Sequence, residues 1–118
     1  LDLHSNNIGD VEFLKLVPAF GINTTLTYLN LLSNQISKEG CLELANKLME
    51  NNASNLSQIN LGFNRIGNDG CTALCHALVD NVSIVDFNLE SNQLGDEVCE
   101  AIGNLLTEKE SLKHLNLQ

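Results

Sequence analysis

Repeatedly along this chain, a short stretch in which apolar and polar residues alternate gives way to a longer one in which apolar residues recur at helical spacing. "LNLLSNQI" fills 29–36, "INLGFNRI" 59–66 and "FNLESNQL" 87–94, while "LDLHSNNI" opens the chain and "LNLQ" closes it. Alternation with a period of two, as in Leu29, Asn30 and Leu31, marks a short half-buried strand. After each turn the apolar spacing changes. Phe13, Leu16, Val17 and Phe20 in the first copy correspond to Cys41, Leu44, Ala45 and Leu48, then to Cys71, Leu74, Cys75 and Leu78, then to Cys99, Ile102, Gly103 and Leu106. An i, i+3, i+4, i+7 pattern puts each set on one face of a helix, and helices are predicted over 10–20, 38–50, 69–80 and 96–108. Pro18 falls inside the first of them, where it should kink or shorten the helix.

The repeat has a measurable period. Asn6, Asn34, Asn64 and Asn92 are spaced by 28, 30 and 28 residues. The 118 residues therefore read as one domain of about four units: a partial one at 1–25, then 26–55, 56–83 and 84–111, and a partial one at 112–118. One strand and one helix cannot enclose a core, so the units must stack. Strands that return in the same direction after each helix pair in parallel. Strands sit about 4.8 Å apart and helices roughly 8 to 10 Å, so the helical side is wider and the strands line a concave face. The opening and closing units lack polar caps, which leads to the expectation of a fragment of a longer array, with further repeats or domains beside it.

Asn6, Asn34, Asn64 and Asn92 follow the strand, where backbone amides and carbonyls lose their ladder partners. A buried Asn can donate to and accept from those groups, so these four are read as a structural ladder. The pattern LxxLxLxxNxI, in "LTYLNLLSNQI", "LSQINLGFNRI" and "IVDFNLESNQL", followed by helices such as "GNDGCTALCHALVDN", resembles leucine-rich repeats of the ribonuclease-inhibitor subtype. That resemblance covers essentially the whole chain. It implies an α/β fold, a right-handed horseshoe with a parallel concave sheet and convex helices, whose concave face and rims bind other proteins. It also implies that the scaffold alone does not fix function.

Composition narrows the choices. Fifteen Asp and Glu against six Lys and Arg give a net charge of −9, which argues against nucleic acid or an anionic membrane as the partner. A basic protein partner is permitted. Some of the acidity has a structural explanation, because Asp10, Glu39, Asp69, Asp96 and Glu97 fall where helices begin and the helix dipole favours carboxylates there. Cys41, Cys71 and Cys99 share one helix position, and all four cysteines, with Cys75, are assigned to the core as small apolar residues. Unpaired buried thiols favour a reducing compartment, so a cytoplasmic location is expected. Sequons at Asn23, Asn52, Asn55 and Asn81 carry less weight, since an Asn-rich chain generates them by chance.

No constellation suggests catalysis. His4 and His114 stand four units apart, Cys75 and His76 are adjacent on a helix and do not face each other, and no Gly-rich loop follows a strand. No enzyme, metal or cofactor is expected. On the concave face, one stripe (Asp2, Asn30, Asn60, Asn88, Asn116) is too regular to encode a partner; its asparagines are assigned to hydrogen bonds with one another along the sheet. The variable stripes beside it are more informative. Tyr28, Leu32, Phe63 and Arg65, flanked by Asp86 and Glu90, form a hypothetical contact patch, since aromatic residues and Arg are enriched in binding hot spots. The function that follows is a protein–protein interaction scaffold. The alternatives are a GTPase-activating protein of the Ran-activator type, which the resemblance alone suggests and in which Arg65 would act on phosphate, or a structural spacer between domains.

Overall fold

Each of the three full repeats folds into a three-residue strand, a turn and a helix, in a computed structural model that describes residues 1–50 and 55–118. The strands β1 (Tyr28–Asn30), β2 (Gln58–Asn60), β3 (Asp86–Asn88) and β4 (His114–Asn116) form one parallel sheet in the order β1-β2-β3-β4. Their register is that of the repeat itself: Tyr28 pairs with Gln58, Gln58 with Asp86 and Asp86 with His114. The opening segment joins the same ladder through an Asp2–Asn30 bridge. Helices α1 (Asp10–Ile22), α2 (Lys38–Glu50), α3 (Gly67–Asp80) and α4 (Cys99–Glu108) line the other side. The result is an α/β horseshoe solenoid.

The core lies between the two layers. Leu29, Leu31, Ile59, Leu61, Phe87 and Leu89 point inward from the strands, and Phe13, Val17, Cys41, Leu44, Cys71, Leu74 and Leu78 meet them from the helices, all buried. Helix α1 differs from expectation by running through Pro18 to Ile22. Pro18 sits on the solvent side and so does Leu14, whose carbonyl the proline leaves without a helical donor; water can satisfy that group, so the helix continues.

The fourth repeat departs from the pattern. A 3₁₀ turn (Asp96–Val98) precedes α4, and the inward residues are Val98, Ala101 and Leu105. Cys99 and Leu106 are exposed, which corrects their assignment to the core. The cause lies six residues after Asn34, Asn64 and Asn92, at Gly40, Gly70 and Val98. A Cβ built on Gly40 would lie 2.6 Å from Asp10 Oδ1 and 2.9 Å from Phe13 Cδ1. On Gly70 it would lie 2.8 Å from Ile66 Cγ2. Only glycine lets helices approach this closely here, and the bulk of Val98 turns α4 to a different face. Burial pushes the thiol of Cys41 well above its ordinary pKa, as expected for an inert core cysteine.

Asp10 does more than complement the dipole of its own helix. Its carboxylate accepts hydrogen bonds from the amides of Ser37 (2.9 Å) and Gly40 (3.1 Å) and from the Ser37 hydroxyl (2.5 Å). It therefore caps α2, the helix of the next repeat. Asn68, in the corresponding position of the third repeat, accepts from the Gly95 amide at 2.8 Å. These bonds tie neighbouring units together at their helix entrances, supplying acceptors to donors that a helix start leaves open.

Candidate functional site: the concave face and its rim

The asparagines after the strands are anchored in the backbone. Asn64 donates to the carbonyls of Leu31, Leu61 and Gly62 and accepts from the amide of Ile36, at 3.0 to 3.1 Å. Asn34 makes the same kind of bridge, accepting from Asn6 and Ile8 amides, and Asn92 accepts from Ile66. Each of these three is at most 7% exposed. Asn6 is exposed and its side chain bonds only the His4 carbonyl among the described contacts. The bridges run from side chain to main chain and span two repeats each, so the turns are clamped in a fixed stack.

The regular stripe beside them has a different role from the one expected. Oδ1 of Asn30, Asn60, Asn88 and Asn116 each accepts from the amide two residues on, that of Leu32, Gly62, Glu90 and Gln118. Asp2 does the same for His4. These are local side-chain turns that end each strand, rather than a chain of asparagines bonded to one another. The His4 ring, bonded to Asp2 at 2.8 Å, holds the Asp2 carboxyl below the usual carboxylate range.

This scaffold separates the six patch residues into two groups. Tyr28 and Leu32 lie four positions apart along an extended segment, roughly 13 Å. At one end Tyr28, Gln58, Asp86 and His114 form a row, with His114 Nδ1 3.6 Å from Asp86 Oδ2. A depression of about 250 Å³ lies there, lined by Tyr28, Gln58, Ile59, Asn60, Asp86 and Asn88. At the other end stand Leu32 and Glu90, with Phe63 and Arg65 on the strand-to-helix rim. Gly62 separates Leu32 from Glu90, and Leu32 Cδ1 reaches to 3.0 Å from where a Gly62 Cβ would lie. Leu32 thus leans over the glycine and is half-buried.

Phe63 carries a feature that its sequence position alone does not announce. Ser5, Ser33, Phe63 and Ser91 all adopt left-handed backbone, with φ between 53° and 55°. A bulky side chain is disfavoured there by roughly 1 to 2 kcal/mol. Phe63 is nevertheless in that conformation and 49% exposed. The only sequence signal was its register with three serines.

Two further sequence features are clarified. Asn81 is 3% exposed, and its side chain accepts from the amides of Ser83 and Ile84. Its backbone carbonyl accepts from the Lys109 ammonium, whose pKa burial lowers. A glycan could not be added to Asn81 in the folded chain. Asn23 and Asn55 are exposed, and the sequon at Asn52 lies outside the described residues. Among the described residues no group of His, Cys, Asp or Glu is arranged to hold a metal, and no helix is long and apolar enough to cross a membrane.

Comparison with known proteins agrees with this geometry. A family model described as "Leucine Rich repeat" matches residues 23–45 and 52–75. No curated protein matches the chain. Among similar solved structures, one titled "Leiomodin-1 Actin-Binding Site 2" has a TM-score of 0.91 and 20% identity, over 100% of this chain and 69% of that one. The tropomodulin C-terminal domain of Caenorhabditis elegans has a TM-score of 0.66 and 20% identity, over 90% of this chain and 65% of that one. At this identity the likeness is one of fold. With repeats that match in sequence over 23–45 and 52–75 and the same stacked architecture from end to end, the chain carries leucine-rich repeats.

Proposed function

We propose that the chain is a protein-interaction module that presents its concave sheet and the adjoining strand-to-helix rim to a partner protein. The observation that carries this reading is Phe63, an exposed aromatic held in left-handed backbone where the other repeats place serine. Strain of that kind persists when something else rewards it, and recognition is a common reward. Leu32 and Arg65 supply further contact surface on the same rim, and Glu90 lies beside them. Tyr28 and Asp86 mark a second contact point at the far end of the strands. The rigid asparagine clamps keep both groups in fixed relation, which lowers the ordering cost of binding.

The leiomodin-1 structure is titled an actin-binding site, so actin is the first partner to test. The buried thiols fit a cytoplasmic setting, where actin is available. Further repeats or domains beside the chain would extend the same face.

Phe63→Asn provides a test with two readouts, because asparagine tolerates left-handed backbone better than other non-glycine residues. The variant should gain about 0.5 to 1 kcal/mol in a urea titration. It should also lose about tenfold in affinity for actin, or for the partner recovered from native extract, measured by co-sedimentation or pull-down. Stabilisation with unchanged partner recovery would remove Phe63 from the interface and favour a structural spacer.

A further inference from the structure

The concave face has a one-sided charge distribution. Its outward strand positions carry the carboxylates Asp2, Asp86 and Glu90 and no Lys or Arg. Within that face, the depression of about 250 Å³ is bounded by an aromatic ring on one strand and a carboxylate two strands away. We propose that this depression is a socket for one Lys or Arg side chain of the partner, so that the face selects a basic segment. The inference rests on the protein-binding reading above and specifies the chemistry of what is bound.

Register supplies the argument. Tyr28, Gln58 and Asp86 are consecutive across three paired strands, so the ring and the carboxylate flank Gln58 at two strand spacings, roughly 10 Å apart. A cation seated over Gln58 meets the Tyr28 ring on one side, a cation–π contact. It meets Asp86 on the other, a charge-assisted hydrogen bond. The Gln58 amide oxygen beneath it is a third acceptor. Oδ1 of Asn60 and of Asn88 is already bonded to the amides of Gly62 and Glu90, which leaves Asp86 and Gln58 as the acceptors for the guest. His114 stands beyond Asp86 at 3.6 Å, too far for a hydrogen bond.

A larger depression fits less well. The groove of about 340 Å³ between the ends of α1 and α2 is lined by Lys47 and Glu50, and those two already pair at 2.6 Å. A net charge of −9 also draws a basic segment toward the molecule. The socket then fixes where it docks.

The test uses fluorescence anisotropy with labelled peptides of alternating arginine and glycine, lysine and glycine, or glutamate and glycine. Wild type is compared with Asp86→Asn, Tyr28→Leu and, as a control that removes the same charge from the helical side, Glu100→Gln. Thermal melts confirm that all four fold alike. The basic peptides should bind and the acidic one should not. Asp86→Asn and Tyr28→Leu should each weaken binding by about five- to tenfold, and Glu100→Gln by less than twofold. Absence of basic-peptide binding, or equal loss in Glu100→Gln and Asp86→Asn, overturns the socket. The same variants separate this inference from the broader one: a native partner lost with Phe63→Asn but retained with Asp86→Asn rejects the socket and leaves the interaction reading standing.

Discussion

Replacing Asn64 by Leu should cost about 2 to 4 kcal/mol of stability, measured as a fall in urea midpoint at unchanged slope. The loss does not fall evenly on the four groups that Asn64 serves. Each of its three carbonyl partners keeps another donor: Asn34 at Leu31, Asn92 at Leu61 and the Ser33 amide at Gly62. The Ile36 amide is different, because it is buried and donates to Asn64 Oδ1. Its orphaning in a low-dielectric core is the dominant penalty, with the lost bridge between repeats added to it. Asn6→Leu supplies the contrast. Asn6 is exposed and its side chain makes one bond, so that change should stay within about 0.5 kcal/mol. Equal and small effects at both positions would show that the asparagines do not clamp the stack.

Gly70→Val should destabilise by about 3 kcal/mol, because the space it needs is filled by groups that cannot move aside. A Cβ there lies 3.2 Å from the Lys38 Cα and 3.3 Å from the Cys41 Cβ, both belonging to α2. Relief requires shifting α2 and α3 apart along their shared contact. The fourth repeat displays the accommodated form, with valine in this position, a 3₁₀ turn and a rotated helix. Gly103→Ala is the matched control: the glycine is inside α4 and an added Cβ meets nothing within 4 Å. That variant should gain about 0.5 to 1 kcal/mol from helix propensity. A stable Gly70→Val protein would mean that the helices are not held at the observed separation.

Much of this architecture is legible in the amino-acid sequence. The spacing of Asn6, Asn34, Asn64 and Asn92, the alternation around Leu29 and Leu31, and the helical spacing from Cys41 to Leu48 define strand, turn and helix in each unit. What escaped was set by contacts between units. Nothing local to Cys99 says that Val98 displaces it, since that follows from how little room Gly40 and Gly70 leave between helices. Asp10 reads as a dipole-favoured carboxylate in its own helix, whereas its hydrogen bonds go to the next one. The Asn30 stripe looks like a ladder across the sheet, but an amide two residues along the same chain is nearer. The candidate site was partly legible too. Register grouped Tyr28 with Gln58 and Asp86, and the strand length separates that row from Leu32 and Phe63. The left-handed backbone at Phe63 depends on the turn geometry, which its serine counterparts share without revealing it.

The most direct measurement of the central claim is hydrogen exchange on the chain, free and bound to its recovered partner. The account predicts slowed exchange along 28–32, 58–65 and 86–90, with the exposed faces of α1 to α4 unchanged. Protection confined to the helices, with the strands and rim exchanging as in the free chain, would contradict it.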